Sequence, residues 1–198
     1  MEIYLATESK GKLKEYQAAF KSNKNVILKT LSDLPQKIKD AYNPAEVGHT
    51  FLENAFIKAR ALYSLVQKPV IGEDAGLCVN ALDGRPGIYS ARYASTDESR
   101  VNKLLRELRD QKDRRAYFIS VLCYLEKPQM PVYFIGKVFG FISNKPRGTS
   151  GFGYDPIFIP EGHEKTFAEL MTEQKENLSH RGKAIHLLTR FLQQRSHA

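Results

Sequence analysis

A four-residue apolar run, Pro69-Val70-Ile71-Gly72, leads directly into two adjacent carboxylates, Glu73-Asp74. Short, apolar and β-branched, the run fits a buried strand, and a buried strand places the chain in a layered fold around a sheet. The carboxylates then stand at the strand's end, where ionised groups persist only when paired, bound to metal or turned to solvent. Ligands of open α/β sheets also gather beyond the strands' carboxyl ends. A solvated turn and a ligand site both remain open readings of this pair.

The flanking sequence supplies the other layers. Residues 2–6 read as a short strand, Thr7-Glu8-Ser9 offers N-cap chemistry, and Leu13, Tyr16, Ala19 and Phe20 follow at helical spacing. A second strand is expected over Val26–Leu31, and a polar loop with a short strand inside it from Pro35 to Gly48. His49 to Val66 reads as a long amphipathic helix, with Phe51, Ala55, Ala59, Leu62 and Leu65 at three- and four-residue steps. Gly84–Gly87 is a turn, and Ser95 to Leu108 a helix capped by Ser95 or Thr96. Ala116–Leu125 and Val132–Ile142 are spaced as an antiparallel pair of strands, residues 145–156 form a Gly- and Pro-rich loop, and one or two helices fall within roughly 166–194. Helices and strands alternate without repeat or low-complexity linker, so the class is α/β or α+β with a mixed sheet, organised as one domain over 1–198.

Hydrophobic residues at 42% and charged residues at 26% are those of a soluble globular protein. No run approaches the ~18 apolar residues of a membrane span, and Met1–Ala6 is too short and polar for a signal peptide, so a cytoplasmic address without membrane contact is expected. Cys78 and Cys123 lie in apolar runs and read as buried thiols. The net charge of +8 suits a polyanion, whether nucleic acid, anionic membrane or polyphosphate. It is spread along the chain, which points to surface lysines rather than a nucleic-acid groove.

Four constellations could carry chemistry. Thr7-Glu8-Ser9-Lys10-Gly11-Lys12, at a strand-to-helix junction, is either an ordinary helix cap with exposed lysines or an anion site of backbone N–H groups, hydroxyls and ammonium groups. Glu73-Asp74 could hold Mg²⁺, which takes one or two carboxylates and completes its shell with water and phosphate oxygens. Glu46 and Glu53 flank the start of the long helix and could supply another carboxylate, while Lys58, set among apolar residues, either snorkels or meets an anion. Gly148 to Pro156 places three glycines around Phe152, Tyr154 and Asp155, either a tight loop with core aromatics or a cradle for a flat ligand stacked on Phe152. Lys175 with Ser179-His180-Arg181-Gly182-Lys183 is either a basic helix start capped by Ser179 or a donor set for a carbonyl-bearing base or phosphate.

In this order the pieces resemble the inosine/xanthosine triphosphate pyrophosphatase family. The matching stretches are Leu5-Ala6-Thr7 with Lys12 and Glu15, Thr50–Ala55 with Lys58-Ala59, Glu73–Leu77, Gly84–Ala94, Gly151–Phe158 and Ser179–Ala184, and they cover essentially the whole chain. The resemblance implies an elongated α/β fold of two lobes with a mixed sheet and the active site in the central cleft, usually as a homodimer. It implies Mg²⁺-dependent hydrolysis of ITP, dITP and XTP to monophosphate and pyrophosphate, cleansing the nucleotide pool. Carried over by position, Thr7, Glu8, Ser9, Lys10, Gly11 and Lys12 would hold the phosphates, and Lys58 would contact the phosphate chain. Asp74 would bind Mg²⁺ and act as general base, assisted by Glu46 or Glu73. Phe152, Gly153, Tyr154, Asp155, Lys175, His180 and Arg181 would form the nucleoside pocket, with Ser179-His180-Arg181 choosing the base through its 6-carbonyl.

Three positions depart from the family pattern: Ser9 where Asn is usual, Ala75 where a substrate-contacting Ser is usual, and Asn80 for Asp. None touches Asp74 or the His180-Arg181 pair, so activity is expected to survive. The rival readings are a Maf-like nucleotide pyrophosphatase, a nucleic-acid-binding module and an inactive nucleotide sensor. The Ser179-His180-Arg181 and Gly151–Asp155 blocks oppose the first, and a carboxylate pair at a strand end is unexplained by the second.

Overall fold

The computed structural model describes residues 1–21 and 25–195. Six strands form one mixed sheet: β1 (Glu2–Ala6), β2 (Ile27–Thr30), β3 (Val70–Val79), β4 (Arg115–Leu125), β5 (Pro131–Ile142) and β6 (Phe158–Pro160), in the order β2-β1-β3-β4-β5-β6. β1 runs parallel to both β2 and β3, with Leu5 opposite Thr30 and Ile71, whereas β5 and β6 are antiparallel. The helices are α1 (Lys10–Phe20), α2 (Gln36–Ala41), α3 (Phe51–Val66), α4 (Asp97–Glu107), α5 (Thr172–Leu178) and α6 (His180–Arg195). The mixed α/β class expected from the sequence is the one observed.

The chain divides into two compact units. The first comprises Met1–Asp74, Ser120–Gly136 and Arg181–Ala198; the second, Ala75–Ile119 and Lys137–His180. Each has its own core. In the first, Ile3, Leu5, Tyr16, Ile71, Leu122 and Leu188 pack together. In the second, Leu77, Leu104, Leu108, Phe118, Phe158 and Phe167 do so, with Phe118 edge-on to Phe158 at 4.7 Å between ring centroids. Cys78 and Cys123 are buried free thiols, as their apolar runs indicated.

Local chemistry sets most boundaries. Ser9 caps α1 by accepting the Lys12 N–H, Thr50 closes a capping box with Glu53 at the start of α3, and Thr96 caps α4. Three expectations are corrected. The Pro35–Gly48 segment contains α2 and no strand; Pro35 precedes the helix, Gln36 Nε2 donates to Asp40 one turn on, and no α2 residue is buried, so no apolar period marked it. β6 lies where no strand was expected, because three residues carry no readable alternation. Most consequentially, β3 does not end at Glu73-Asp74 but runs on to Val79. A strand can carry two carboxylates through its buried middle when each has a cationic partner.

Candidate active site

Successive residues of a strand face opposite sides of the sheet, so β3 presents Glu73 and Asp74 to different surroundings. Within the first unit, Glu73 is 1% exposed and Arg181, from the first turn of α6, 2%. Glu73 Oε1 accepts from Arg181 Nε at 2.8 Å and from Ser120 Oγ at 2.9 Å, and Lys12 Nζ stands 3.8 Å from Oε2. Arg181 also pairs with Glu15 of α1. The Tyr16 hydroxyl is buried and feels the Glu73 carboxylate; burial first, then that charge, hold its pKa well above the ordinary phenol value. Burial alone would push Glu73 up, yet Arg181 and Lys12 outweigh it and hold the carboxyl below its usual range. Lys12 is lowered, by desolvation first.

On the α3 side, Lys58 Nζ donates to Asp74 Oδ1 at 2.7 Å and to the Glu73 carbonyl at 3.2 Å, and lies 3.1 Å from Glu46 Oε2. One ammonium therefore bridges two carboxylates. The close approach of α3 to β3 makes this possible: at Gly72 a Cβ would overlap the Ala55 carbonyl oxygen and crowd Ala59. Asp74 Oδ2 is buried with no hydrogen-bond partner among the described residues. Desolvation raises the Asp74 pKa, with Glu46 acting in the same direction and Lys58 opposing.

The phosphate-loop candidates make local contacts. The Thr7 hydroxyl accepts the Ser9 N–H at 3.2 Å, and Lys10, Gly11 and Lys12 form the first turn of α1. Glu8 neighbours the cap on the chain, and Ala75 follows Asp74 within β3, partly exposed.

The second unit holds the other expected group. Asp155 Oδ2 accepts from the Phe152 N–H at 2.9 Å and from Lys175 Nζ at 2.7 Å, and that ammonium stands 4.9 Å from the Phe152 ring centroid. Tyr154 Oη donates to the Ser90 carbonyl at 3.1 Å, and Gly153, at φ +64°, gives its N–H to Asp97 at 2.8 Å. His180 stacks on Phe118, 4.6 Å between centroids and 8° between planes. Ser179 ends α5 in extended backbone, its N–H on the Lys175 carbonyl at 2.8 Å.

The structure thus gathers Lys12, Glu73 and Arg181, gathers Glu46, Lys58 and Asp74, and gathers Phe152, Asp155 and Lys175. His180 and Arg181, consecutive in sequence, belong to different units. Sequence reasoning assigned no part to Ser120, Tyr16 or Asp97, and none to Glu15 beyond its place in a matching stretch. Ser120 did leave a signal, as the lone hydroxyl in the run Phe118-Ile119-Ser120-Val121-Leu122.

Among the described residues no group of three or more His, Cys, Asp or Glu side chains assembles as a metal cage. The Asp74–Glu46 pair nevertheless fits a hard cation: two carboxylates already share one positive charge, one of their oxygens is orphaned, and Mg²⁺ commonly takes only one or two protein carboxylates. No helix among the described residues is long and apolar enough to cross a membrane.

Comparison with known proteins finds relatives along nearly the whole chain. A dITP/XTP pyrophosphatase of Treponema denticola is 44% identical over 200 residues, covering 97% of this chain and 98% of the relative. One from Halalkalibacterium halodurans is 43% identical over 196 residues, covering 96% and 98%. Among solved structures, a HAM1 protein from Coxiella burnetii superimposes with a TM-score of 0.88 at 36% identity, covering 98% of this chain and 99% of that one. The Staphylococcus aureus Ham1 protein gives 0.87 at 39% identity, covering 98% and 100%. With the family model matching residues 3–191, the chain belongs to the Ham1 family.

Proposed function

We propose that this chain is a Mg²⁺-dependent nucleoside triphosphate pyrophosphatase that hydrolyses non-standard purine nucleotides (dITP, ITP, XTP) to the monophosphate and pyrophosphate, clearing them from the nucleotide pool. The observation that carries the reading is Lys58, 2.7 Å from Asp74 and 3.1 Å from Glu46, beside a buried and orphaned Asp74 oxygen. The names of the relatives supply the substrate class.

Asp74 and Glu46 would hold the ion, which when bound neutralises phosphate charge and orients oxygen ligands. Asp74 is also the general base that takes a proton from the attacking water, and the desolvation that raises its pKa makes it a better acceptor. Lys58 and Lys12 take charge from the phosphates, with Thr7 to Gly11 supplying hydroxyl and backbone donors. Phe152 stacks on the base, with Gly153, Tyr154, Asp155 and Lys175 around the nucleoside and Ala75 beside the phosphates. His180 and Arg181 satisfy the 6-carbonyl of hypoxanthine or xanthine; adenine would set an amino donor against donors, and unpaired buried donors are costly.

The two units act as one catalytic domain, and the enzyme works as a homodimer in the cytoplasm. Free buried thiols suit a reducing compartment, and β5 exposes Phe139 and Phe141 at alternate positions, an apolar strip suited to a second copy. The test is pyrophosphate release with Mg²⁺ from inosine, xanthosine, guanosine, adenosine and pyrimidine triphosphates. Selective turnover of dITP, ITP and XTP is expected. Tight ITP binding without turnover would make the protein a sensor instead, and release of orthophosphate would overturn the reaction assigned.

A further inference from the structure

The Phe152–Asp155 loop is fixed from two directions. From within, Asp155 Oδ2 takes the Phe152 N–H at 2.9 Å and the Lys175 ammonium at 2.7 Å. From outside, Asp97 Oδ2 takes the next amide, Gly153 N–H, at 2.8 Å across 56 residues of sequence. Two consecutive backbone donors thus each end on a carboxylate, and the peptide between them carries the Phe152 ring's attachment point. Charge-assisted bonds of this kind are shorter and stronger than neutral ones.

Asp97 is itself well anchored. It is the first residue of α4, behind the Thr96 cap. Its other oxygen pairs with Arg100 one turn on, and Arg100 Nε donates to the Ala94 carbonyl at 3.1 Å. The carboxylate is about half exposed, so burial does not require it there. An acid in the first turn also favours α4 itself, and that purely local role needs no contact with residue 153. Gly153 adopts φ +64° although a Cβ there would meet nothing within 4 Å. Its glycine therefore answers to backbone conformation, the conformation that aims its N–H at Asp97, and not to crowding.

We propose that Asp97 is a positioning residue for the purine: through the Gly153 amide it fixes the loop that presents Phe152 to the base. This rests on the reading of Phe152 as the base-stacking residue. Removing the acceptor frees the Gly153 N–H and lets the loop sample other conformations, which weakens nucleotide binding while leaving the phosphate chemistry at Asp74 and Lys58 intact.

The experiment compares Asp97→Ala, Asp97→Asn and Phe152→Ala in steady-state pyrophosphate release from ITP, alongside hydrogen exchange at the Gly153 amide. Asp97→Ala is expected to raise KM roughly three- to tenfold with kcat within about twofold, the effect of one lost hydrogen bond. It should also speed Gly153 exchange at least about tenfold. Asp97→Asn retains an acceptor oxygen and should rescue both. Equal KM increases in the Ala and Asn variants would assign the effect to the Arg100 pair and overturn the proposal, as would unchanged KM in Asp97→Ala. Phe152→Ala separates the two ideas: a raised KM there with none in Asp97→Ala sinks only the positioning role. No change in either variant removes the stacking assignment as well. Poor folding of Asp97→Ala would be answered by Gly153 exchange in wild type and Asp97→Asn; an unprotected amide in both would overturn the contact.

Discussion

Arg181 Nε donates to Glu73 Oε1 at 2.8 Å across 108 residues of sequence, joining the middle of β3 to the first turn of α6 inside the first unit. Both side chains are almost wholly buried, and Ser120 and Lys12 complete the surroundings of the carboxylate. Removing one member of a buried pair strands the other, which costs about 3–5 kcal/mol. Glu73→Ala is therefore expected to lower the urea unfolding free energy by about that amount. Glu73→Gln, which keeps an acceptor for Ser120, should lose less. Equal stability of Glu73→Ala and wild type would show that the pair contributes nothing to the fold.

Lys58 stands differently, because its two carboxylate partners are the proposed ion-holding and proton-accepting groups. Asp74→Asn should reduce pyrophosphate release from ITP by roughly 10²–10⁴-fold, the usual contribution of a general base. Lys58→Met should lower kcat/KM by roughly 10²–10³-fold through lost charge stabilisation. Near-normal turnover by Asp74→Asn would refute its catalytic role.

How far the sequence reached can be judged from these same residues. The oddity of Glu73-Asp74 was legible, as was Lys58 among apolar neighbours, since charge inside an apolar pattern is a local signal. The division of labour between the two carboxylates was not. It depends on strand alternation continuing past Asp74 to Val79, and the sequence suggested a strand end because isolated buried charges are costly. The partners that make the continuation tolerable, Arg181 and Ser120, are distant in sequence and obey no spacing rule. Helix α2 escaped for the opposite reason: with no buried residue it leaves no apolar period to read.

Base selection is tested at Phe152 and at the His180-Arg181 junction. Loss of aromatic stacking is worth about 1–3 kcal/mol per base, so Phe152→Ala should raise KM for ITP by roughly 5- to 150-fold. His180→Ala and Arg181→Ala should each shrink the ratio of kcat/KM for ITP over ATP, measured side by side. Because Arg181 is also the partner of Glu73 and Glu15, its variant should lose thermal stability as well, whereas His180→Ala loses the stack on Phe118. A preference unchanged in both variants would return base reading to other groups.

Glu169 provides a pH-dependent contribution near the same loop. The Thr166 N–H donates to Glu169 at 2.8 Å, and this backbone bond, the largest influence, outweighs desolvation and, with the Thr166 hydroxyl and Arg147, lowers the carboxyl pKa below its ordinary value. With the folded pKa depressed, the contribution is complete above the unfolded value of about 4.3 and is lost as pH falls through the lower folded value. Glu169→Gln should therefore flatten the acid limb of a plot of melting temperature against pH, with wild type and variant separating through that window and furthest apart above it. Parallel curves down to the acid transition would contradict this.

Gly72 tests whether the approach of α3 to β3 matters to function as well as to folding. A methyl group there would overlap the Ala55 carbonyl oxygen and the Ala59 nitrogen, and it would lie 2.9 Å from the Ala59 Cβ, so backbone rather than a flexible side chain must yield. Overpacking of this kind costs about 1–3 kcal/mol. The helix that has to move carries Lys58, whose ammonium now lies 2.7 Å from Asp74 and 3.1 Å from Glu46. A displacement of about 1 Å at a catalytic group can cost roughly 10²-fold in rate. Gly72→Ala is thus expected to remain folded at 25 °C, to lose about 1–3 kcal/mol in urea unfolding, and to lose roughly 10²-fold in kcat. KM should change far less, because Phe152, Asp155, Lys175 and His180, assigned to the nucleoside, belong to the second unit. A destabilised variant with full kcat would mean that the Lys58–Asp74 contact tolerates the shift and that the α3–β3 approach serves packing alone.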